Sequence, residues 1–237
     1  MTASLAKKES FKIFDAIAGR YDFVNSILSL GLHHGWRRAL TAEAIAGARP
    51  DRKIAVLDLA TGTGDVALAL AREDQVGSVM GIDLSEGMLA VGRQKIIAQG
   101  AASKVKLEAG DAMDLRRSGF DSATMAFGIR NVPDPLRCLS EIYRALRPGG
   151  RVVILEFALP RSRWFRALHL FYLRHVLPHI GRALSGHQFA YRYLNETIES
   201  FPYGDAFTLL MRRAGFLDTI ATPLTFGIVN LYRGVKR

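Results

Sequence analysis

Leu57-Asp58-Leu59-Ala60-Thr61-Gly62-Thr63-Gly64-Asp65 is the stretch on which the fold turns. It continues the apolar run Ile54–Leu59 and leads into a helical stretch over Val66–Arg72. A short apolar run of this kind suits a strand buried on both faces. Gly62 and Gly64, placed between that strand and that helix, let a ligand approach the backbone closely. A dinucleotide fingerprint asks for a third small residue three positions on. Ala67 satisfies it, so a nicotinamide cofactor passes this test. Asp65 points elsewhere, because a carboxylate just inside a helix N-terminus competes with a pyrophosphate for the positive dipole end. A ligand without phosphate, carrying a positive charge, suits such an acidic rim better.

Outward from this loop the chain alternates strand and helix. Ser78–Ile82 reads as a second strand, with Asp83 at its end and Ser85 as an N-cap for a helix over Gly87–Gln99. Val105–Glu108 and Asp121–Phe127 read as strands three and four. Pro135–Leu146 reads as a helix stopped by Arg147-Pro148-Gly149-Gly150, and Arg151–Phe157 as strand five. After a helix over Gly204–Ala214, Leu217–Pro223 and Ile228–Arg233 read as a strand pair joined by a short turn. The expected fold is α/β: a Rossmann-like sheet, mostly parallel, closed by an antiparallel C-terminal edge pair. Asp83 is placed to accept both hydroxyls of a ribose. Asp111, after strand three, lies where an adenine edge would sit. Any one of these acids could be a turn or cap residue; three at consecutive strand ends line one crevice.

Composition bounds the function. With 49% hydrophobic and 23% charged residues in 237, the chain has material for a full core and is neither disordered nor low-complexity. Residues 1–237 are read as a single domain, with a helical N-terminal lid over about 9–48 and a basic helical insert over about 160–202. Cys138 is the only cysteine, which excludes an intrachain disulfide and a cysteine zinc cluster and suits a reducing, cytoplasmic setting. No apolar run approaches a membrane span, and residues 1–10 do not form a secretory signal. No His-Glu-x-x-His and no acids at metal spacing occur, so no metal is expected. The net charge of +10 implies an anionic partner. The charge is regional: no acid lies between Glu156 and Glu196, a stretch that holds Arg161, Arg163, Arg166, Arg174, Arg182 and Arg192.

Several segments together carry a resemblance: Val56–Asp65, Gly81-Ile-Asp-Leu-Ser-Glu-Gly-Met-Leu89, Phe127-Gly-Ile-Arg-Asn-Val132 and Leu146–Phe157. Tyr21-Asp22-x-x-Asn25, Ser29-x-Gly31-x-His33-x-x-Trp36, Tyr191-x-Tyr193-Leu194 and Gly227–Gly234 extend it over most of the chain. The sequence resembles the class I S-adenosylmethionine-dependent methyltransferases, and closely resembles the ubiquinone/menaquinone biosynthesis C-methyltransferase family. The resemblance implies S-adenosylmethionine as cofactor, with contacts at Thr63, Asp83, Asp111 and Ala112 beside Gly62 and Gly64 of the loop. It implies a polyprenylated quinol as acceptor, demethylmenaquinol foremost. Two departures fall on the adenine side: Asp114–Gly119 replaces a longer loop with Leu-Pro-Phe, and Ala126 stands where relatives often carry serine.

A neutral aromatic carbon is a poor nucleophile, and removing a phenolic proton makes it enolate-like. Arg130 and Asn131, after strand four, are the first candidates for that step, with Asp111 near enough to take part. Arg130 is permanently charged, so it is cast as phenolate stabiliser or holder of a water. The bland alternative is that the pair caps the next helix. His33, Tyr21 and Asn25 are second-rank candidates; packing is the alternative for His33. In the insert, Trp164, Phe165, Leu168, Phe171, Tyr172, His175 and Val176 share one arc at 100° per residue. Arg163, Arg166 and Arg174 fall on the other side, while Leu170 and Leu173 spoil the separation. This suits an interfacial helix on an anionic membrane, which would place the enzyme peripherally on the inner face of the cytoplasmic membrane. A lid over a greasy tail and a core helix with snorkelling arginines are the alternatives. Other acceptors weighed are another lipid-like small molecule and RNA. No RNA-binding module and no Asn-Pro-Pro-Tyr after strand four are present, so nucleic acid is not expected. A scaffold without catalysis is a further reading, and a homo-oligomer is left open.

Overall fold

The computed structural model describes residues 26, 29, 31–49, 51–176 and 188–237, with side chains from 194 onward in the last segment. Tyr21, Asn25, half of the expected lid, the Tyr191 and Tyr193 side chains and residues 177–187 of the insert lie outside the described residues. The elements run α1 (Leu32–Ile45), β1 (Ile54–Leu59), α2 (Asp65–Ala71), β2 (Val76–Asp83), α3 (Glu86–Ala98), β3 (Val105–Ala109) and β4 (Phe120–Ala126). They continue with α4 (Pro135–Ala145), β5 (Leu146–Phe157), α5 (Arg163–Phe171), α6 (Gln188–Ser200), α7 (Asp205–Arg213), β6 (Leu217–Leu224) and β7 (Val229–Val235).

The strands form one sheet in the order β3-β2-β1-β4-β5-β7-β6. β1 pairs in parallel with β2 on one side and β4 on the other, Leu57 lying opposite Met80 and Ala123. β7 runs antiparallel to both β5 and β6. The expected antiparallel C-terminal edge pair is present as β6 and β7, with β7 lying between β5 and the edge strand β6. Alternate residues feed two cores. Val56, Val79, Val105 and Val153 face α1, α2 and α3 through Leu40, Leu70 and Leu89. Leu57, Leu59, Met125 and Ile154 face α4 and α7 through Leu139, Ile142 and Phe207. Burying each large apolar side chain favours folding by about 1.5–3 kcal/mol. With helices on both faces, the strands read as continuous apolar runs.

The start of β5 differs from expectation. β5 begins at Leu146, not Arg151. Phe120 pairs with Leu146 and Ser122 with Arg151, so Arg147–Gly150 form an irregularity within the strand pair rather than a loop. Gly149, at φ 78°, supplies the left-handed residue that this needs. Ser85 caps α3 as expected, accepting from the Met88 amide at 3.1 Å. Asp134, not the Arg130-Asn131 pair, caps α4, accepting from the Arg137 amide at 3.0 Å.

The strand order reverses between β1 and β4. In open α/β sheets such a switch point opens a crevice at the strand C-termini. The loops after these two strands therefore frame the site.

Candidate functional site

Both framing loops leave their strands through a left-handed non-glycine residue, Ala60 at φ 48° and Phe127 at φ 57°. Such residues persist only where surrounding structure holds them, and they cluster at functional sites. The two loops touch: a Cβ on Gly128 would lie 2.5 Å from the Ala60 Cβ. Glycine at 128 is thus required by the close approach of the two turns.

On the β1 side, the Gly62 amide donates to Asp83 Oδ2 at 2.8 Å, and the Ser85 amide donates to Oδ1 at 2.9 Å. The end of β2 is thereby tied to the glycine loop. Asp83 and Gly62 are each partly exposed. Asp111 sits at the end of β3, half-buried beside Ala112, with Oδ1 accepting from the Met113 amide at 2.8 Å. The Gly110 amide donates to the Asp83 carbonyl at 3.0 Å, which brings these two strand ends together. An acceptor carboxylate for ribose hydroxyls, beside a partly exposed glycine, fits an adenosyl ligand.

Thr63 and Gly64 point away from this surface. Thr63 is buried and its hydroxyl accepts from Lys95 at 3.2 Å. Gly64 is buried, and a Cβ there would meet Leu107 and the Gly92 backbone. Asp65 does not form an open acidic rim. Arg37 of α1 pairs with it at 2.6 Å, and Lys95 of α3 also holds it. Burial alone would raise its pKa, but the two cations outweigh burial and keep the carboxyl below its ordinary range.

Asp58 is a further residue of the site, one that the motifs do not single out. It is 1% exposed, accepting from Thr61 Oγ1 at 2.6 Å and Thr124 Oγ1 at 2.7 Å. It bolts the β1 turn to β4. Burial pushes its pKa up to about 6 against the pull of the two hydroxyls. An acid inside an apolar strand run was the available signal, since an unpartnered buried acid is costly.

The same signal stood in β5. Glu156 is fully buried. Its Oε1 accepts from Arg130 Nη1 and from the Phe157 amide, both at 2.8 Å, and its Oε2 accepts from the Arg130 amide at 3.2 Å. Arg130 Nη1 also reaches the Phe127 carbonyl, and its guanidinium lies over the Phe157 ring at 5.3 Å. The free cation expected to face a phenolate is therefore largely offset by Glu156. Arg130 Nε and Asn131 Oδ1 are buried and have no hydrogen-bond partner. Buried polar atoms are normally paired, so two orphans in one turn mark a place for a ligand or water. Beside them Phe127 and Phe157 sit 4.5 Å apart, with the Trp36 ring edge-on at 6.0 and 6.3 Å. This apolar wall suits an aromatic ring. His33 is buried, its Nδ1 is 2.6 Å from Ser29 Oγ, and its ring lies 3.9 Å from His34.

In the basic insert the apolar arc divides. Leu173 is buried against Ile198, so it belongs to the side that docks on the protein. Trp164, Leu168 and Phe171 face outward at 73%, 56% and 57% exposure. The arginines are not a uniform back face. Arg166 Nε donates to the Pro160 carbonyl at 2.7 Å, and Arg174 pairs with Glu199. Among the described residues, no helix is long and apolar enough to cross a membrane.

The chain is similar to known proteins over most of its length. The profile of the ubiE/COQ5 methyltransferase family matches residues 2–236. The chain is 46% identical over 228 residues to the ubiquinone/menaquinone biosynthesis C-methyltransferase UbiE of Geobacter sulfurreducens, covering 94% of this chain and 87% of that protein. It is 44% identical over 228 residues to the demethylmenaquinone methyltransferase of Deinococcus radiodurans, covering 95% and 92%. Among solved structures, magnesium protoporphyrin IX methyltransferase from Synechocystis PCC 6803 with bound SAH superposes with a TM-score of 0.60 at 16% identity. That alignment covers 86% of this chain and 84% of that one and shows the shared fold.

Proposed function

The chain belongs to the ubiE/COQ5 methyltransferase family, and from that premise we propose that it methylates a ring carbon of a polyprenylated quinol, demethylmenaquinol foremost, in quinone biosynthesis. S-adenosylmethionine is its cofactor and supplies, when bound, an electrophilic methyl group. We further propose how the residues divide the work. Asp83 accepts the ribose hydroxyls, Gly62 gives its open backbone to the ligand, and Asp111 with Ala112 borders the adenine. Thr63 and Gly64 shape the loop from behind.

On the acceptor side, Arg130 Nε donates to the quinol oxygen as it becomes anionic, and Asn131 Oδ1 accepts from the hydroxyl before it does. Glu156 fixes both through the turn that it holds. Phe127, Phe157 and Trp36 stack the ring and exclude water, which strengthens each of these interactions. Asp111 is the carboxylate we assign to receive the phenolic proton. The observation that carries this reading is the pair of orphaned buried atoms, Arg130 Nε and Asn131 Oδ1, beside an aromatic wall at the switch point.

In this account residues 1–237 act as one methyltransferase unit. Residues 9–48 close over the site, and residues 160–202 meet the lipid that holds the acceptor, on the inner face of the cytoplasmic membrane. The experiment is direct. Pure protein receives S-adenosylmethionine and a reduced, demethylated prenyl naphthoquinol in detergent, and in parallel the benzoquinol. A ring product heavier by one methylene is expected with the naphthoquinol. No mass change with either acceptor, while the cofactor binds, would overturn the assignment.

A further inference from the structure

The turn between β6 and β7 presents an unusual side chain. Phe226 is 85% exposed although its backbone is left-handed at φ 56°, and Thr225 before it is left-handed at φ 46°. Two consecutive non-glycine residues in this region need external support. Trp36 Nε1 supplies part of it, donating to Thr225 Oγ1 at 2.8 Å. The Ile228 amide closes the turn onto the Thr225 carbonyl at 3.2 Å. Gly227 is buried, and a Cβ there would lie 3.4 Å from the Pro160 Cα at the approach to α5. The structure thus spends strain to hold a phenylalanine out in water.

Phe226 is not isolated. Its ring meets Phe165 edge-on at 5.7 Å, and Phe165 meets Trp164 at 5.6 Å. Trp164, Leu168 and Phe171 follow along α5 at helical spacing, all more than half exposed. One outward apolar face therefore draws on two elements far apart in sequence. Exposed Arg161 and Arg163 flank it, and no acidic residue occurs from 157 to 195. Large exposed apolar groups rimmed by cations of one sign fit an anionic lipid surface, where rings enter the interface and guanidinium groups meet headgroups.

We propose that Phe226 and the Trp164/Leu168/Phe171 stripe of α5 form a single docking face for an anionic phospholipid bilayer, and that this face lies at the acceptor's way in. The second part rests on the lipid-borne acceptor proposed above and on one chain of contacts. Trp36, which anchors the Phe226 turn, is the same residue whose ring packs on Phe127 and Phe157 beside Arg130. The bilayer contact and the aromatic wall of the site thus share one residue, and a prenylated ring leaving the lipid at Phe226 meets that wall directly.

The two tryptophans make the test simple, since Trp36 is 6% exposed and Trp164 73%. The full chain is mixed with phosphatidylglycerol-containing vesicles or with pure phosphatidylcholine vesicles. On the anionic vesicles, Trp164 emission shifts to the blue and loses access to acrylamide, and the protein floats with the lipid. Phe226→Ala, exposed enough to leave the melting temperature unchanged, weakens flotation about tenfold. It also loses turnover on a vesicle-borne long-chain acceptor while keeping that on a short-chain soluble one. Flotation that ignores anionic lipid, or is unchanged in Phe226→Ala, overturns the proposal. So does Trp164 shielding without lipid that grows with protein concentration, which would assign the face to a second copy of the chain. Absence of turnover on both acceptors, with vesicle binding as expected, defeats the quinol reading and leaves the docking face standing.

Discussion

Arg130 and Glu156 meet at 2.8 Å with both side chains out of water, the guanidinium 7% exposed and the carboxylate 0%. They belong to the adjacent turn and strand, and their contact sets the shape of the loop after β4. A buried pair of this kind adds little against an apolar replacement, but removing one member strands the other. Its meaning is geometric: it fixes where Arg130 Nε and Asn131 Oδ1 sit.

Glu156→Gln therefore destabilises the fold by about 3–5 kcal/mol, because Arg130 is left as an uncompensated buried cation. Urea unfolding reads this as a lower midpoint with an unchanged slope. The double variant Glu156→Gln/Arg130→Met regains most of the loss. If the double variant is as unstable as the single, the pair is not the cause.

Arg130→Lys separates charge from geometry. A lysine keeps a cation for Glu156 but has no Nε–H in the place of the orphaned donor. Turnover falls about 10- to 100-fold, the loss expected of one charged hydrogen bond made in the transition state, while cofactor affinity holds. Single-turnover methyl transfer alongside cofactor titration measures both. Turnover at the parent rate removes Arg130 Nε from the reaction.

Asp83→Ala acts on the other side. It deletes the acceptor for the ribose hydroxyls and frees the Gly62 and Ser85 amides, held at 2.8 and 2.9 Å. Calorimetric binding of S-adenosylmethionine weakens about 10- to 100-fold. A change within about twofold would mean that the carboxylate does not meet the ribose.

Asp58 carries a pH signature. Its carboxyl titrates near 3.8 when unfolded, and burial raises it to about 6 in the fold. The native state therefore binds this proton more tightly than the unfolded chain does. The group favours folding most below pH about 4 and withdraws that contribution as the pH rises through about 6. A shift of this size corresponds to about 3 kcal/mol. Asp58→Asn, which keeps hydrogen-bonding groups for Thr61 and Thr124, lacks this slope, so its stability gains on the parent across that window. Parallel stability curves from pH 4 to 7 would show that Asp58 does not titrate there.

What was legible in the chain follows from how local each signal is. β1 reads at its true bounds because it is buried on both faces and forms one apolar run. The positions of Asp83 and Gly62 at a strand end and in the loop before it are likewise readable, and the structure joins the two by a hydrogen bond. The start of β5 is hidden in the sequence because Pro148-Gly149-Gly150 has the composition of a turn, and only pairing with β4 makes it strand. Arg130 with Glu156, and Arg37 with Asp65, are contacts between distant elements that no spacing announces. The α5 arc shows the same limit. A helical wheel finds one apolar arc with Leu170 and Leu173 outside it, but cannot say that Leu173 meets Ile198 and Trp164 meets water.

The central claim concerns the atom that receives the methyl group. Pure protein is given S-adenosylmethionine labelled with a trideuterated methyl and reduced demethylmenaquinol, and the product is examined by nuclear magnetic resonance. The account predicts the intact trideuterated methyl on a ring carbon, with both ring oxygens free. Label on a ring oxygen, as a methyl ether, would contradict it.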